Sequence, residues 1–383
     1  MLPTLAPTLI TDTIMTVTIP TTVKGFGVDA KENWNHPKLV EYPPRKLGDY
    51  DIMTENECCG LCGSDIHTVQ GNWGPLNRDD LVVGHEIIGR VIAKGPKVTE
   101  FNLGDRVGIG AASFSCGECH RCLNDDEQYC TKGVGTYNVA DTNFGDGYVT
   151  QGGYSSHSVA DQKHVFAIPD SIDSKHAAPL MCGGLTVFSP LVRNLGENAK
   201  GKKVIVIGLG GLGHMAVMLA SKGLGAEVVV SLRSLAKRDQ AFELGASGFI
   251  ATGEEKDWAS KYAGQFDLVL NCASGIDGLD VPSYLQTLKV GGHFVTVGAP
   301  KATDVYSFSP FTMIFTGTLL GGSLLGSKKE AELMLKLVEE HNIKPWIEEV
   351  PISEKGCNTA LTRCDNGDVR YRFVFTEFDK AFN

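Results

Sequence analysis

The stretch that most limits the fold is KKVIVIGLGGLGHMAVMLASKGLGAEVVVSL, residues 202–232. An apolar run of strand character meets glycines at 208, 210 and 213, a helical stretch follows, and a second β-branched run returns. That order is the βαβ unit of a parallel sheet with helices on both faces. FDLVLNCAS and GGHFVTVG further on read as buried strands of the same sheet. In this context the G-x-G-x-x-G spacing lets backbone amides and a helix N-terminus approach a pyrophosphate. Gly208, Gly210, Gly211, Leu212 and Gly213 are therefore candidate dinucleotide contacts. The end of the second strand bears on which dinucleotide. NAD sites carry an acid there for the ribose, but this chain has SLRSLAKR, with no Asp or Glu between Val228 and Arg238. Leu232 takes the acid's place, and Arg233, Ser234 and Lys237 suit a 2′-phosphate. The reading is NADP(H), with a solvated basic turn as the plain alternative.

Sequence on either side has another character. Residues 21–175 hold short β-branched runs such as LVVGHEIIGRVIAKG between Gly turns, which reads as many short strands. HAAPLMCGGLTVFSPLVRN, from His176, is helical. SKKEAELMLKLVEEHNI reads as an amphipathic helix opened by Ser327, with Leu333, Leu335, Leu337 and Val338 apolar among charges. FTMIFTGTLLGGSLLG is broken by Thr and Gly and reads as core strand rather than a membrane span. The fold class is α/β: a β-rich domain over 21–183 and 324–383, with a doubly wound parallel-sheet domain inserted at 184–323. Residues 1–20 contain no Lys or Arg and read as a disordered extension, not a targeting signal.

A net charge of −10 argues against nucleic acid or an anionic membrane as partner. With no secretory signal, the eleven cysteines point to a reducing, cytoplasmic setting and to metal binding more than disulfides. CGECHRCLNDDEQYC supplies Cys116, Cys119, Cys122 and Cys130 in C-x2-C-x2-C-x7-C spacing. Four thiolates close a tetrahedral zinc shell and leave no position for substrate, so the lobe at 113–132 reads as a structural site. Two disulfides or an iron–sulfur cluster are the competing readings. CGLCGSDIH, residues 59–67, leaves more open. Cys59 and Cys62 make a C-x-x-C that could be a redox pair. Cys62 can also join His85, next to Glu86, and Cys182 in a three-ligand zinc site with an open fourth position.

Taken together, CGLCGSDIH, VVGHEIIGRV, the four-Cys lobe, QGGYSSH, AAPLMCGGLTVFSPL, GLGGLG and GDVRYRFVF resemble the zinc-dependent medium-chain alcohol dehydrogenases, most closely the cinnamyl alcohol dehydrogenase branch with its fungal NADP-dependent relatives. The likeness runs from about residue 24. It implies a GroES-like catalytic domain joined to a Rossmann domain, with the substrate cleft between them, and a homodimer joined along Rossmann sheet edges, with TLLGGSLLG a candidate edge. It makes Cys62, His85 and Cys182 the catalytic zinc ligands, Glu86 an alternate ligand, and Asp65 the acid that orients the ligand histidine. Ser64 would contact the substrate oxygen, His67 would end the proton relay, and Trp73 would line the substrate pocket. The expected activity is hydride transfer between NADP(H) and primary alcohols or aldehydes, aromatic (cinnamaldehyde-like) and medium aliphatic. A polyol or mannitol-type dehydrogenase of the same architecture is the first alternative, and a non-catalytic NADPH-binding sensor the second.

Overall fold

The computed structural model describes residues 19–141, 147–301 and 303–383. The N-terminal extension therefore lies, except for Ile19 and Pro20, outside the described residues.

Six parallel strands form one sheet in the spatial order Gly248–Ala251, Glu227–Leu232, Lys203–Ile207, Phe266–Asn271, Leu288–Thr296, Leu319–Gly322. Numbered along the chain this is 3-2-1-4-5-6, so the order reverses between Lys203–Ile207 and Phe266–Asn271, and ligands bind at such a switch point. The strands read as near-continuous apolar runs because both faces are covered: in KVIVI only Lys203 escapes burial. The glycine loop leaves the C-terminal end of that strand at the reversal.

The second large sheet has seven mostly antiparallel strands, centred on Asp51–Gly60, which pairs with Glu86–Lys94, His157–Asp161 and Arg372–Thr376. Two of its strands, Ile347–Pro351 and Arg372–Thr376, come from beyond the parallel sheet in sequence. Register here positions the site. Gly60 pairs with Glu86 on one side and Val374 on the other. The turn after Gly60, the His85–Glu86 pair and Arg372 are thus gathered at one end of the sheet.

Helix Gly183–Leu195 follows Cys182, with ten of its thirteen residues buried. Helix Lys328–Glu340 packs against it and starts at a capping box of Ser327 and Glu330, each side chain bonding the other's backbone N–H. Its buried face is Ala331, Met334, Leu335 and Val338. Leu333 and Leu337, expected in that face, are only half-buried, since a 3.6-residue period puts them on its flanks.

One expectation fails. Residues 311–322 are not core strand: Phe311–Thr316 is a helix and Leu319–Gly322 an edge strand. Phe311, Ile314 and Phe315, at 63%, 71% and 83% exposure, lie on one outward helix face. Their i, i+3, i+4 spacing carried the helical signal, and apolar content alone misplaced it in the core.

Candidate active site and metal centres

Helix Gly63–Val69 begins at Cys62, and Asp65 at its third position reaches back to the Cys62 N–H at 2.9 Å. Asp65 is fully buried and serves several partners. Its Oδ2 also accepts from the Tyr154 hydroxyl at 2.8 Å; its Oδ1 accepts from Gly84 N–H at 3.2 Å and lies 3.0 Å from His85 Nδ1. A carboxylate only accepts, so the His85 proton sits on Nδ1 and the Nε2 lone pair is free for a cation. Tyr137 Oη stands 3.2 Å from the same Nδ1.

Nε2 points into a group of four. Ligand atoms of Cys62, His85, Glu86 and Cys182, all buried, lie within 4.8 Å of one another. His85 Nε2 is 3.1 Å from Cys182 Sγ. The two thiols crowd each other: hydrogen bonding from Cys182 pulls Cys62 well below the ordinary thiol value and pushes Cys182 well above it. A dication relieves that crowding by letting both ionise. Glu86 is fully buried and its Oε1 is ion-paired to Arg372, while its Oε2 has no hydrogen-bond partner. Burial pushes its carboxyl up to about 7, although Arg372 pulls the other way. Two soft thiolates, an imidazole and a spare carboxylate oxygen are a zinc donor set. Cys59 does not belong to it. Its thiol is fully buried in the apolar core beneath Gly84 and Gly153, and burial holds it well above the ordinary value, so the redox-pair reading of C-x-x-C has no support.

The four-cysteine lobe forms the second group. Its sulfurs are separated by 3.5 Å (Cys119 to Cys122), 3.6 Å (Cys130 to Cys116) and 3.9 Å (Cys116 to Cys122 and Cys119 to Cys130). A tetrahedral ion with Zn–S bonds of about 2.3 Å requires sulfurs roughly 3.8 Å apart. Disulfides would bring pairs to about 2 Å, and a multi-iron cluster would spread them wider. The geometry is that of one tetrahedral ion. Backbone N–H groups of Glu118 and Cys119 pull the Cys116 thiol down to about 6, which favours the thiolate.

A cleft of about 690 Å³ opens above the first group. Ser64, His67, Trp73 and Tyr137 line one wall, and Gly210, Gly211, Leu212, Lys237 and Val297 line the other. Ser64 Oγ is 3.5 Å from Cys62 Sγ. His67 stacks on Trp73 with ring centres 4.9 Å apart, and the Trp73 indole N–H reaches the Pro300 carbonyl across the cleft at 3.4 Å.

The nucleotide loop has the backbone its glycines foretell. Gly208 takes φ +86°, and a Cβ on Gly213 would fall 1.9 Å from the Gly208 carbonyl oxygen, so neither position admits a side chain. A Cβ on Gly210 would meet nothing within 4 Å: that face is open to a ligand. Lys237 Nζ donates to the Leu209 carbonyl at 2.9 Å and lies 5.1 Å above the Tyr371 ring. Burial, with Arg370 nearby, holds its pKa below the ordinary lysine value. Leu232 ends its strand half-buried, and Arg233 and Ser234 follow it exposed.

Arg372 was not singled out from the sequence. It is 5% exposed, pairs with Glu86 and would meet any side chain on Gly211. An arginine inside the apolar run YRFVF was the available signal, because a buried guanidinium demands a partner.

No helix among the described residues is long and apolar enough to cross a membrane. Residues 48–170 match the alcohol dehydrogenase GroES-like domain and 211–340 the zinc-binding dehydrogenase domain. The chain is 45% identical to NADP-dependent alcohol dehydrogenase 6 of Saccharomyces cerevisiae over 365 residues, covering 95% of this chain and 99% of the relative. A cinnamyl alcohol dehydrogenase from Sorghum bicolor superposes with TM-score 0.85 at 34% identity, covering 94% of this chain and 98% of that one. One from Helicobacter pylori, complexed with NADP(H), gives 0.84 at 31%, covering 94% and 99%. By these likenesses the chain belongs to the zinc-binding alcohol dehydrogenases with a GroES-like domain, in the branch that holds the cinnamyl alcohol dehydrogenases.

Proposed function

We propose that this chain reduces aldehydes with NADPH, and oxidises the matching primary alcohols, in the cleft between its two sheets. One observation carries the reading: the Cys62–His85–Cys182 group lies at the floor of the cleft onto which the glycine loop and Lys237 also open. The yeast relative and the Helicobacter pylori neighbour carry NADP in their names, and all three names are those of alcohol dehydrogenases, which supports the reading. Bound at these residues, zinc supplies Lewis acidity toward the substrate oxygen and NADPH supplies the hydride. Cys62, His85 and Cys182 hold the metal, Asp65 orients the imidazole, and the unpaired Glu86 Oε2 is the alternate ligand. Ser64 and His67 move the proton between substrate oxygen and solvent. The backbone of Gly208–Gly213 receives the pyrophosphate, and Arg233, Ser234 and Lys237 receive the 2′-phosphate. We set the GroES-like domain at 21–183 and 324–383 and the Rossmann domain at 184–323, following sheet membership.

Two coarser proposals accompany this. Edge strand Leu319–Gly322, flanked by exposed Phe311, Ile314, Phe315 and Val290, supports a homodimer joined along the parallel sheet. Eleven cysteines, none in a disulfide, suit a cytoplasmic setting.

Trp73, Phe114, Val297 and Leu324 give the cleft apolar walls, which suit a flat aromatic substrate. A polyol would bury hydroxyls against them, and each unpaired hydroxyl costs about 1–3 kcal/mol. With NADP⁺, cinnamyl alcohol is expected to exceed mannitol in kcat/KM by roughly a hundredfold, the effect of two such hydroxyls. Mannitol winning this comparison would reassign the chain to the polyol dehydrogenases.

A further inference from the structure

We propose that the four-cysteine lobe is a site of reversible oxidation by hydroperoxides: Cys119 and Cys122 close a disulfide, the lobe's zinc leaves, and the stretch of cleft wall that the lobe carries is displaced. The proposal rests on the reading of the lobe as a zinc site, and its test separates the two.

Accessibility and ligation sort the eleven cysteines. Cys58, Cys59 and Cys357 sit in the apolar cores at 3% exposure or less. Cys62 and Cys182 lie at 7% and 6% on the floor of the cleft. Cys272 and Cys364 are half-buried in the cleft wall, and burial pushes both thiols up, which keeps them protonated. The nucleophile toward an oxidant is the thiolate and not the thiol, so these two react slowly. Cys116, Cys119, Cys122 and Cys130 alone combine partial exposure with a ligand group, and a coordinating thiol is deprotonated outright. No apolar lid covers them: Leu123, in their midst, is itself 70% exposed. A small oxidant from solvent therefore meets the lobe's sulfurs first.

Cys119 Sγ lies 3.5 Å from Cys122 Sγ, in a turn where the Leu123 N–H returns to the Cys119 carbonyl at 3.0 Å. Closing that gap to the roughly 2 Å of a disulfide takes only a local shift. In the first step the Cys119 thiolate attacks the terminal oxygen of a hydroperoxide ROOH. The O–O bond breaks, ROH leaves with one proton from solvent, and the sulfur is a sulfenic acid. The Cys122 thiolate then attacks that sulfur, the S–O bond breaks, and water leaves with a second proton. The two sulfurs have lost two electrons and the peroxide has gained them. With two of four thiolates gone, the ion has no tetrahedral shell. Glu127, Gln128 and Cys130 of the lobe line the cleft, so the oxidation reaches the substrate site without touching Cys62, His85 or Cys182.

The test treats the zinc-loaded enzyme with hydrogen peroxide. Zinc release is followed with a chromogenic chelator, thiols by alkylation and mass spectrometry, and turnover by NADPH oxidation with cinnamaldehyde. The expected result is release of one zinc per chain, a Cys119–Cys122 disulfide and unmodified Cys62 and Cys182. Turnover should fall at least about tenfold, the scale of a displaced wall, and return on adding dithiothreitol with zinc. Saturating NADP⁺, bound in the cleft, should leave the rate of zinc release unchanged. Oxidation of Cys62, Cys182, Cys272 or Cys364 ahead of the lobe, or zinc release slowed by NADP⁺, would overturn the site. A Cys119–Cys122 disulfide with turnover unchanged would overturn its hold on the cleft. Protein that carries one zinc from the start and still forms this disulfide would contradict the metal reading of the lobe while its oxidation stands.

Discussion

Replacing Cys62 with Ser is expected to remove one of two zincs per chain and to lower kcat/KM for cinnamaldehyde by about a thousandfold or more, with NADPH binding close to wild type. A serine hydroxyl is not ionised at neutral pH and is a harder, poorer zinc ligand than a thiolate. A metal Lewis acid contributes several kcal/mol to the transition state, and each 1.36 kcal/mol is a factor of ten, so losing about 4 kcal/mol gives a factor near 10³. The substitution is almost isosteric at a buried helix cap, where the Asp65 side chain accepts from the Cys62 backbone N–H and a serine hydroxyl is itself a good cap, so the fold should survive. The proposed nucleotide contacts Gly210, Gly211, Leu212 and Lys237 lie on the opposite wall of the cleft. Metal analysis, NADPH titration and steady-state rates on one preparation check all three statements. Turnover near wild type in protein that holds a single zinc would remove Cys62 from the catalytic centre.

The second large effect is expected from Cys119→Ser, which should melt the lobe while the parallel sheet stays folded. The residues from Cys116 to Cys130 are exposed or half-buried, Leu123 at 70% exposure, and none belongs to an apolar core cluster, so little besides the ion holds them. Structural zinc in such peptides supplies about 10–16 kcal/mol of apparent binding energy, and that energy is folding energy. The ordered lobe is also tied to the rest of the chain. Asp126 pairs with Arg193 at 2.7 Å, Glu127 accepts from Lys328 N–H at 2.5 Å, and the Tyr129 hydroxyl accepts from Leu324 N–H at 3.0 Å. Because Glu127, Gln128 and Cys130 line the cleft, activity is expected to fall at least about tenfold, the scale of a wall displaced from its reacting geometry. Hydrogen exchange is the direct readout: amides of residues 116–133 should lose protection in the variant while those of 203–207 and 266–271 keep theirs. Unchanged lobe protection in protein with one zinc would mean that the ion does not hold the lobe.

What could be read from the sequence was what neighbouring residues encode together. The glycine loop is one strand, one turn and one helix, and the lobe places four ligands within fifteen positions, so spacing alone carries their geometry. Cys62, His85 and Cys182 come from separate segments: donor chemistry offered them as one possible zinc set, and likeness to a family singled that set out; the register of Gly60 with Glu86 brings the first two segments together. Arg372 and Glu86 are 286 positions apart. No local pattern relates such a pair, so a buried arginine was legible in YRFVF but its partner Glu86 was not. The helix at Phe311–Thr316 was misplaced for the opposite reason. Its apolar residues were legible, but whether a face turns inward or outward is decided by what packs beside it, and here nothing within the described chain covers it.

The most direct measurement is the initial rate of cofactor oxidation with cinnamaldehyde, NADPH and NADH in parallel, in protein carrying two zincs per chain. The proposed roles of Leu232, which would leave the adenosine ribose without an acid, and of Arg233, Ser234 and Lys237, which would receive a 2′-phosphate, predict a fast NADPH-dependent rate with little from NADH. No rate with either cofactor, or a rate as fast with NADH, would contradict it.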